Sequence, residues 1–517
     1  MSYQSMATEI QKALKKYGED IDLSWMNEMA GQIDKWDRMY RNKADWLDDN
    51  VKSCELPASI AGEIARLVTL EMKSEITGSP RADYLNGYYQ NLLKDIRIKV
   101  EYACARGGLV FKPYATENGL VIQCVQANKF FPIAFDDEGK ITDGIFVEEF
   151  TRNKKVYTRL ERHTILRRMI QGKLTSKLLV RNYAFVSNIK TKTLGSPIKL
   201  EDVDRWQDLE EAVEFANIFK LPFGYMKIPL ANTIDPDSPL GVSVYSRAVG
   251  SIKTADIRHS QIDWEYEAKE AAVHVSEQML KYNKDTNKFT YPGGKKRLYR
   301  KLEYNVGATD KPLLDVYSPD IRDASLHSGY DKQLKLVEFN CNLAYGTLSD
   351  PNNVDKTAEE IRSSKQRSYS MVASVQQALQ SALEDLIDAM NYWCGQYELC
   401  PDGDVSSSFI WDDSIVVDKE KDRQTDRTDV AMGAMKLWEY RMKWYGEDKE
   451  TAMKALNDDE IDEYSDEGEP IESSKGKPED KKGEKPKDGK SDDKKSDDKN
   501  KDPKDGKDNK KDKKDDK

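Results

Sequence analysis

Residues 357–393, TAEEIRSSKQRSYSMVASVQQALQSALEDLIDAMNYW, decide the fold. Ile361, Met371, Val372, Val375, Leu379, Leu383, Leu386, Ile387, Met390 and Trp393 recur at helical spacing, one stripe over about ten turns. The pattern predicts a single long helix within 357–400, with Glu359 and Glu360 at its electropositive start. Burying each large side chain of the stripe stabilises by roughly 1.5–3 kcal/mol. Such a face must be covered, either by the rest of the chain as core or by a neighbouring copy in an oligomer.

Upstream, the loop LAYGTLSDPNNVDK (343–356) separates this helix from a helical pattern over 319–342. Before that, KDTNKFTYPGGKKRLYRKLEYNVGATDKP breaks a long helical stretch over 242–282, itself entered from the Pro-, Gly- and Asp-rich loop 229–241. Downstream come a strand, SSFIWDDSIVV, and two short helices over 428–446 and 448–456. Residues 1–107 read as helical: Ile60, Ile64, Leu67, Val68 and Met72 share one stripe that Gly78-Ser79-Pro80 stops, and a second helix runs from Ala82 to Gly107. The period then shortens. The runs 109–114, 120–125, 145–150, 155–161 and 178–186 are β-branched or aromatic and separated by turn clusters, predicting an antiparallel sheet; 162–169 fits strand or loop. The expected class is α+β, mainly helical with an antiparallel sheet.

The whole chain of 517 residues carries a formal charge of −11. From Lys475 to Lys517 there are 18 lysines and 14 acids; from Leu456 to Ser473 there are nine acids and no base. Setting both stretches aside leaves −6 for residues 1–455, so no basic excess draws the body onto DNA or an anionic membrane. The last aromatic is Tyr464, and 458–517 is expected to stay unstructured. No run of 18 apolar residues occurs, and the N-terminus lacks a basic flank before an apolar core, so neither a membrane span nor a signal peptide is expected. Six cysteines in so long a chain fit incidental thiols better than a disulfide framework.

Signatures of catalysis are missing. Gly293-Gly294-Lys295 lacks the upstream glycine of a phosphate-binding loop, and Lys296 stands where Ser or Thr would hold magnesium. The four histidines (His163, His259, His274, His327) are scattered, and Cys394 and Cys400 have no histidine near them, so neither a metal nor a cofactor is expected. Asp412-Asp413 could hold magnesium in a nuclease, but a solvated turn is the simpler reading. The distinctive feature is a basic insert: Lys281, Lys284, Lys288, Lys295, Lys296, Arg297, Arg300 and Lys301 against the single acid Asp285, interleaved with Phe289, Tyr291 and Tyr299. It reads as an ordinary solvated hairpin, or as a docking surface for an acidic partner or nucleic acid.

The order of elements over about residues 20–450 resembles the portal, or head–tail connector, proteins of tailed bacteriophages, particularly siphoviruses of Gram-positive hosts. WMNEMAGQIDKWDRMYRNKADW (25–46) with LPASIAGEIARLVTLEMKSEI (56–76) is similar to that family's opening helices. PFGYMKIPLANTIDPDSPLGVSVYSRAV (222–249) resembles its entry into the first stem helix, residues 356–387 its long helix after the tunnel loop, and residues 409–446 its closing segment. Each similarity alone is weak; four in order are stronger.

The resemblance implies a non-enzymatic ring subunit, twelve-fold in the family, at one capsid vertex of the virion, built in the host cytoplasm. Such rings nucleate head assembly, pass double-stranded DNA during packaging and ejection, and dock the terminase large subunit, the head–tail adaptor and the major capsid and scaffolding proteins. Another phage head component or a metal-dependent DNA-acting enzyme are the rivals. Carried over, 1–241 with 357–400 is the wing, 242–282 and 319–342 the stem, 283–318 the clip, 343–356 the tunnel loop, 401–457 the crown and 458–517 the tail. Lys288, Lys295, Lys296, Arg297, Arg300 and Lys301 would dock partners on the clip. Tyr345, Gly346, Thr347, Leu348, Ser349, Asp350, Asn352 and Asn353 would face the DNA channel; this loop's Ala344–Asn353 stretch lacks Lys and Arg, which suits a conduit that must not grip its cargo. The stripe of Ile361, Met371, Val375, Leu379, Leu383, Leu386 and Met390 would serve as core or as a lateral face in the ring.

Overall fold

The computed structural model describes the chain except for residues 71, 171, 277–280, 285–287, 291–298, 303–313, 351–357, 412–418 and 463–517. It divides into two units, 1–424 and 425–517. The class is α+β with mainly antiparallel sheets. No helix among the described residues is long and apolar enough to cross a membrane.

Helices α1 (Tyr3–Lys15), α2 (Asn27–Tyr40) and α3 (Leu56–Thr69) open the first unit, followed by strand β1 (Lys73–Thr77) and helices α4 (Pro80–Leu93) and α5 (Ile96–Arg106). Ser79 caps α4 by accepting the Ala82 N–H at 3.3 Å, with Pro80 preset for the first turn. The helix expected to run on to Ile76 stops at Thr69 instead. Residues 73–77 pair antiparallel with Ser406–Ile410 and bury Ser74 and Ile76 at alternate positions. Their partner lies more than three hundred residues away, so local spacing could not reveal it.

Strands β2 (Gly108–Thr116), β3 (Gly119–Gln126), β4 (Phe130–Phe135), β5 (Ile141–Arg152), β6 (Lys155–Ile170), β7 (Lys173–Asn188), β8 (Ser196–Ile198), β9 (Ala212–Ala216) and β10 (Gly224–Lys227) follow. They make one sheet in the order β10-β2-β3 and a second in the order β4-β5-β6-β7-β8, with β9 also on β7. Residues 162–169 are strand: β6 and β7 form one unbroken ladder from Lys155↔Asn188 to Ile170↔Lys173.

Helix α6 (Val249–Ala268) then leads to strands β11 (Ala272–Ser276), β12 (Lys281–Asn283), β13 (Lys288–Thr290), β14 (Tyr299–Leu302) and β15 (Leu314–Tyr317), and helix α7 (Asp323–Asn340) returns. Among the described residues, the helical stretch expected over 242–282 is α-helix only at 249–268. Ala272–Ser276 alternates β-branched and polar residues and becomes a central strand, parallel to β14 and antiparallel to β15.

Helix α8 (Ala358–Gln396) is the long helix, and β16 (Ser406–Ile410) follows it. Val375, Leu379, Leu383, Leu386 and Met390 are wholly buried, and Met371, Val372, Ile387 and Trp393 nearly so. They pack against β2, β10 and α3 in the principal core. The stripe from Met371 onward is therefore core within one chain, which leaves it unavailable as a lateral face toward a neighbouring copy. Ile361 lies in the first turns of α8, whose side chains fall outside the described residues.

The second unit holds the end of α9 (Lys419–Ala431), α10 (Leu437–Tyr445) and α11 (Lys449–Asp462). The helix expected over 428–446 is split where Gly433 takes φ +77°. Trp444 Nε1 donates to Asp426 at 2.7 Å, and Arg441 pairs with Glu447 at 2.9 Å.

The contact of β10 with α8 is backbone-close. A Cβ on Gly224 would stand 1.9 Å from the Ala382 carbonyl oxygen and 3.1 Å from the Leu386 nitrogen. Gly224→Ala is expected to cost about 3 kcal/mol by forcing strand and helix apart. Gly250→Ala, at an exposed helical position with nothing within 4 Å, should stabilise by about 0.5 kcal/mol. Urea denaturation of both variants checks the pair.

Candidate functional site

Helices α6 and α7 run antiparallel. Ser251 meets Gln333 and Asn340, Arg258 meets the Gly329 carbonyl, and Glu265 meets Arg322. This register brings the end of α6 and the start of α7 together, where Lys269 Nζ donates to the Asp320 carbonyl at 2.7 Å and Tyr266 donates to Asp323. The small strands lie at that end: β11 continues from α6, and β15 leads into α7. The sheet order there is β14-β11-β15, with the hairpin β12–β13 beside it in sequence.

Of the expected clip residues, Lys288 opens β13 in register with Asn283, and Arg300 and Lys301 of β14 stand opposite His274 and Val275. Lys295, Lys296 and Arg297 fall outside the described residues, as do Asn352, Asn353 and Asp412-Asp413. Arg300 and Lys301 thus lie beside the central strand Ala272–Ser276, which the resemblance had assigned to the stem, whereas Lys288 lies on the separate two-stranded ladder of β12 and β13.

At the opposite end of α7 the chain turns through Asn342, at φ 56°, into the loop. One side chain organises that loop. Glu338, wholly buried in the last turn of α7, accepts the N–H groups of Gly346 (3.1 Å), Leu348 (2.6 Å) and Ser349 (2.9 Å) on Oε1, and the Ser349 hydroxyl (2.9 Å) on Oε2. A buried carboxylate is tolerated when its lone pairs are filled this way. Gly346 adopts φ +87°, which lets successive N–H groups converge on one oxygen. Arg367 of α8 spans the loop's edge, 4.8 Å from the Phe339 ring and 5.5 Å from the Tyr345 ring.

The expected channel residues therefore divide. Thr347 and Asp350 are exposed, and Tyr345, Gly346 and Leu348 are half-buried. Ser349 is buried, donating to Glu338 and accepting the Gly346 N–H, so it serves the loop's own structure. Sequence reading missed Glu338: a lone Glu on a helix gives no hint that a loop eight residues on will wrap it.

A second polar cluster crosses the β-sheet. Lys112 donates to Glu161 at 2.8 Å, His163 shares a proton with Glu161 at 2.7 Å, and Arg159 reaches both Glu161 and Glu148. Burial pushes the His163 imidazole below its ordinary value. Burial would raise Glu161, but Lys112, His163 and Arg159 hold it well below the usual carboxylate range. Cations and anions are matched here, which describes a structural network. No group of three or more His, Cys, Asp or Glu side chains that could hold a metal ion occurs among the described residues.

Comparison with protein-family models gives no match, and comparison with curated proteins gives none.

Two outcomes are expected. Glu338→Ala leaves the Leu348 and Ser349 N–H groups without their acceptor and should destabilise by about 3 kcal/mol, while Ser349→Ala, which removes one donor to Glu338 and one acceptor of the Gly346 N–H, should cost about 1 kcal/mol; thermal and urea melts measure both. Glu265 is held at about 2, chiefly by Arg322 and then by Lys269. Its lowered value means a stabilisation complete above the unfolded-state pKa of about 4.3 and lost as the pH falls toward 2. The Tm gap between wild type and Glu265→Gln should narrow across that window and stay constant from pH 5 to 7.

Proposed function

We propose that this chain is the ring-forming subunit of a tailed-phage portal, a conduit for double-stranded DNA that docks a packaging motor and a head–tail adaptor. The observation that carries the reading is the antiparallel stalk of α6 and α7. It ends in a small basic sheet on one side and in a braced loop, followed by a 39-residue helix, on the other. That succession supports assigning α6 and α7 as stem, residues 272–317 as clip, the loop from 343 as tunnel loop and α8 as the wing's spine. In the clip, the sequence-based boundary of 283 moves back to include β11. Residues 401–457 would be the crown, and 458–517 lie mostly outside the described residues.

Geometry gives this assignment a physical logic. A loop that lines a conduit must keep its shape while a polyanion slides past, and an interior carboxylate braces it without presenting charge to the channel. Thr347 and Asp350 would be the groups offered to passing DNA, neither of which attracts phosphate. Lys288, Arg300 and Lys301 on the clip strands suit an acidic protein surface on the motor or adaptor.

Mass photometry and negative-stain microscopy of the full chain test the proposal. A closed ring with a central channel is expected, near twelve times the 59.2 kDa subunit mass. A monomer at micromolar concentration with magnesium-dependent cleavage of DNA would sink it in favour of an enzyme. A discrete particle without a channel would point to another head component.

A further inference from the structure

Residues 162–200 contain nine Lys or Arg and no Asp or Glu, within a body of net −6. The next fourteen residues, 201–214, reverse this with seven acids and one base, Arg205. The structure places the two stretches at different points along one hairpin. Pairing of β5 with β6 ends at Asp143↔Thr164, and β9 covers β7 only from Lys177 onward. Beyond these points four residue pairs remain, Arg167↔Ser176 to Ile170↔Lys173. Arg167 still donates to the Phe219 carbonyl and the Ser176 carbonyl still accepts the Asn217 N–H, so the two-stranded tip of this arm, free of other partners among the described residues, starts at Arg168↔Thr175 and is about 10 Å long.

Near its tip, Met169 and Leu174 face each other in register, 67% and 50% exposed. Arg168 and Lys173 flank them and form no ion pair among the described residues. Nearer the root the cations are matched: Arg162 with Asp143 and Glu19, Arg181 with Glu19, Lys177 with Glu214.

The acidic stretch borders a cavity of about 490 Å³ at the hairpin's middle. Asp208, Leu209 and Glu210 line it; Phe215, Trp393 and Tyr397 form an aromatic wall, and the paired Lys112, Arg159 and Glu161 line another side. Asp208 and Glu210 form no ion pair among the described residues, and the buried Trp393 Nε1 has no hydrogen-bond partner. Met169 lies six residues up β6 from His163, which also lines the cavity, so about 20 Å of unbroken ladder separates the two. A continuous ladder cannot fold back over that distance.

We propose that the arm's tip docks on a second copy of this chain, Met169 and Leu174 entering the aromatic-walled cavity while Arg168 and Lys173 meet Asp208 and Glu210. The contact joins two different surface patches, the kind that propagates around a ring. Met against aromatic walls is favourable, and the flanking charges fix the direction of approach. Duplex DNA is the poorer occupant: its backbone offers nothing to an exposed Met–Leu pair, and outside the 162–200 stretch the body carries −15. The inference rests on the ring reading and names the surface that would join neighbours.

The test is assembly of the full chain by analytical ultracentrifugation and negative-stain microscopy. Arg168→Glu with Lys173→Glu should raise the half-assembly concentration at least about tenfold. Asp208→Lys with Glu210→Lys should do the same, and all four reversals in one chain should restore assembly. Met169→Ser with Leu174→Ser, which leaves the charges intact, should weaken assembly independently; circular dichroism confirms folding. Rings from the tip-reversed variant at wild-type concentration overturn the inference and leave the portal reading standing. So does an unchanged ring whose tip variant has lost affinity for a 30-base-pair duplex in fluorescence anisotropy. Assembly that depends on the tip but stops at a dimer keeps the contact and sinks the ring, whereas a wild-type monomer overturns both.

Discussion

The rest of the structure depends on the approach of α8 to the strand at Gly224. A helix is normally held off a sheet by the side chains on both surfaces. Here the strand lacks a Cβ where the helix backbone passes, so Ala382 and Leu386 settle directly onto it. That proximity lets Leu379, Leu383 and Met390 reach past the strand into the N-terminal helical layer, where Gln376 donates to the Val68 carbonyl. One helix thereby joins elements from residues 60 to 390 into a single apolar cluster, and the short β1–β16 ladder closes the same circuit from the other side. Contacts of such long sequence separation form late and cooperatively, because every loop they close has to be ordered first.

Around that apolar cluster the chain buries several charges, each either ion-paired or, like Asp256 and Glu338, filled by N–H donors. Arg162 holds Asp143 with two nitrogens and Glu19 with a third. Burial works to raise the Glu19 carboxyl, yet Tyr183, Arg162 and Arg181 keep it below its ordinary value. Networks of this kind add little net stability over well-packed apolar residues, but removing one member strands another's charge. Their effect is on register. A one-residue slip of β6 against β7 would exchange the faces that Arg159, Glu161 and His163 present, breaking the network and exposing Leu160 together. The long hairpin is thus held in register by charge along its root, where it meets the sheet, and beyond it carries Arg168 and Lys173 without an ion pair among the described residues.

Much of this could be read from the residues themselves, for physical reasons that differ by element. The stripe of α8 was legible because 3.6-residue periodicity is local and the helix is long. The strands between Gly108 and Asn188 were legible because β-branched runs alternate with turn signals. What escaped were features whose cause lies far off in the chain. Lys73–Thr77 is a strand only because Ser406–Ile410 is there to pair with it. Ala272–Ser276 was absorbed into a helical stretch until β14 and β15 supplied neighbours. Among candidate site residues, Tyr345 to Asp350 read as a loop from their turn-forming residues, but the tie of Ser349 to Glu338 had no local signature.

Burial of the α8 stripe also bears on how copies of this chain could associate. An apolar face of that length would have made a simple adhesive side, and its absence from the surface leaves scattered apolar side chains among charges. Under the ring proposal, neighbours would recognise each other through polar and mixed patches, which are weaker per unit area but more selective and more sensitive to salt. For a subunit that must close a ring and not grow into a filament, selectivity of approach angle matters more than raw adhesion. A hairpin stiffened at its root and charged toward its tip constrains that angle in a way a greasy helix face, free to slide along its stripe, would not.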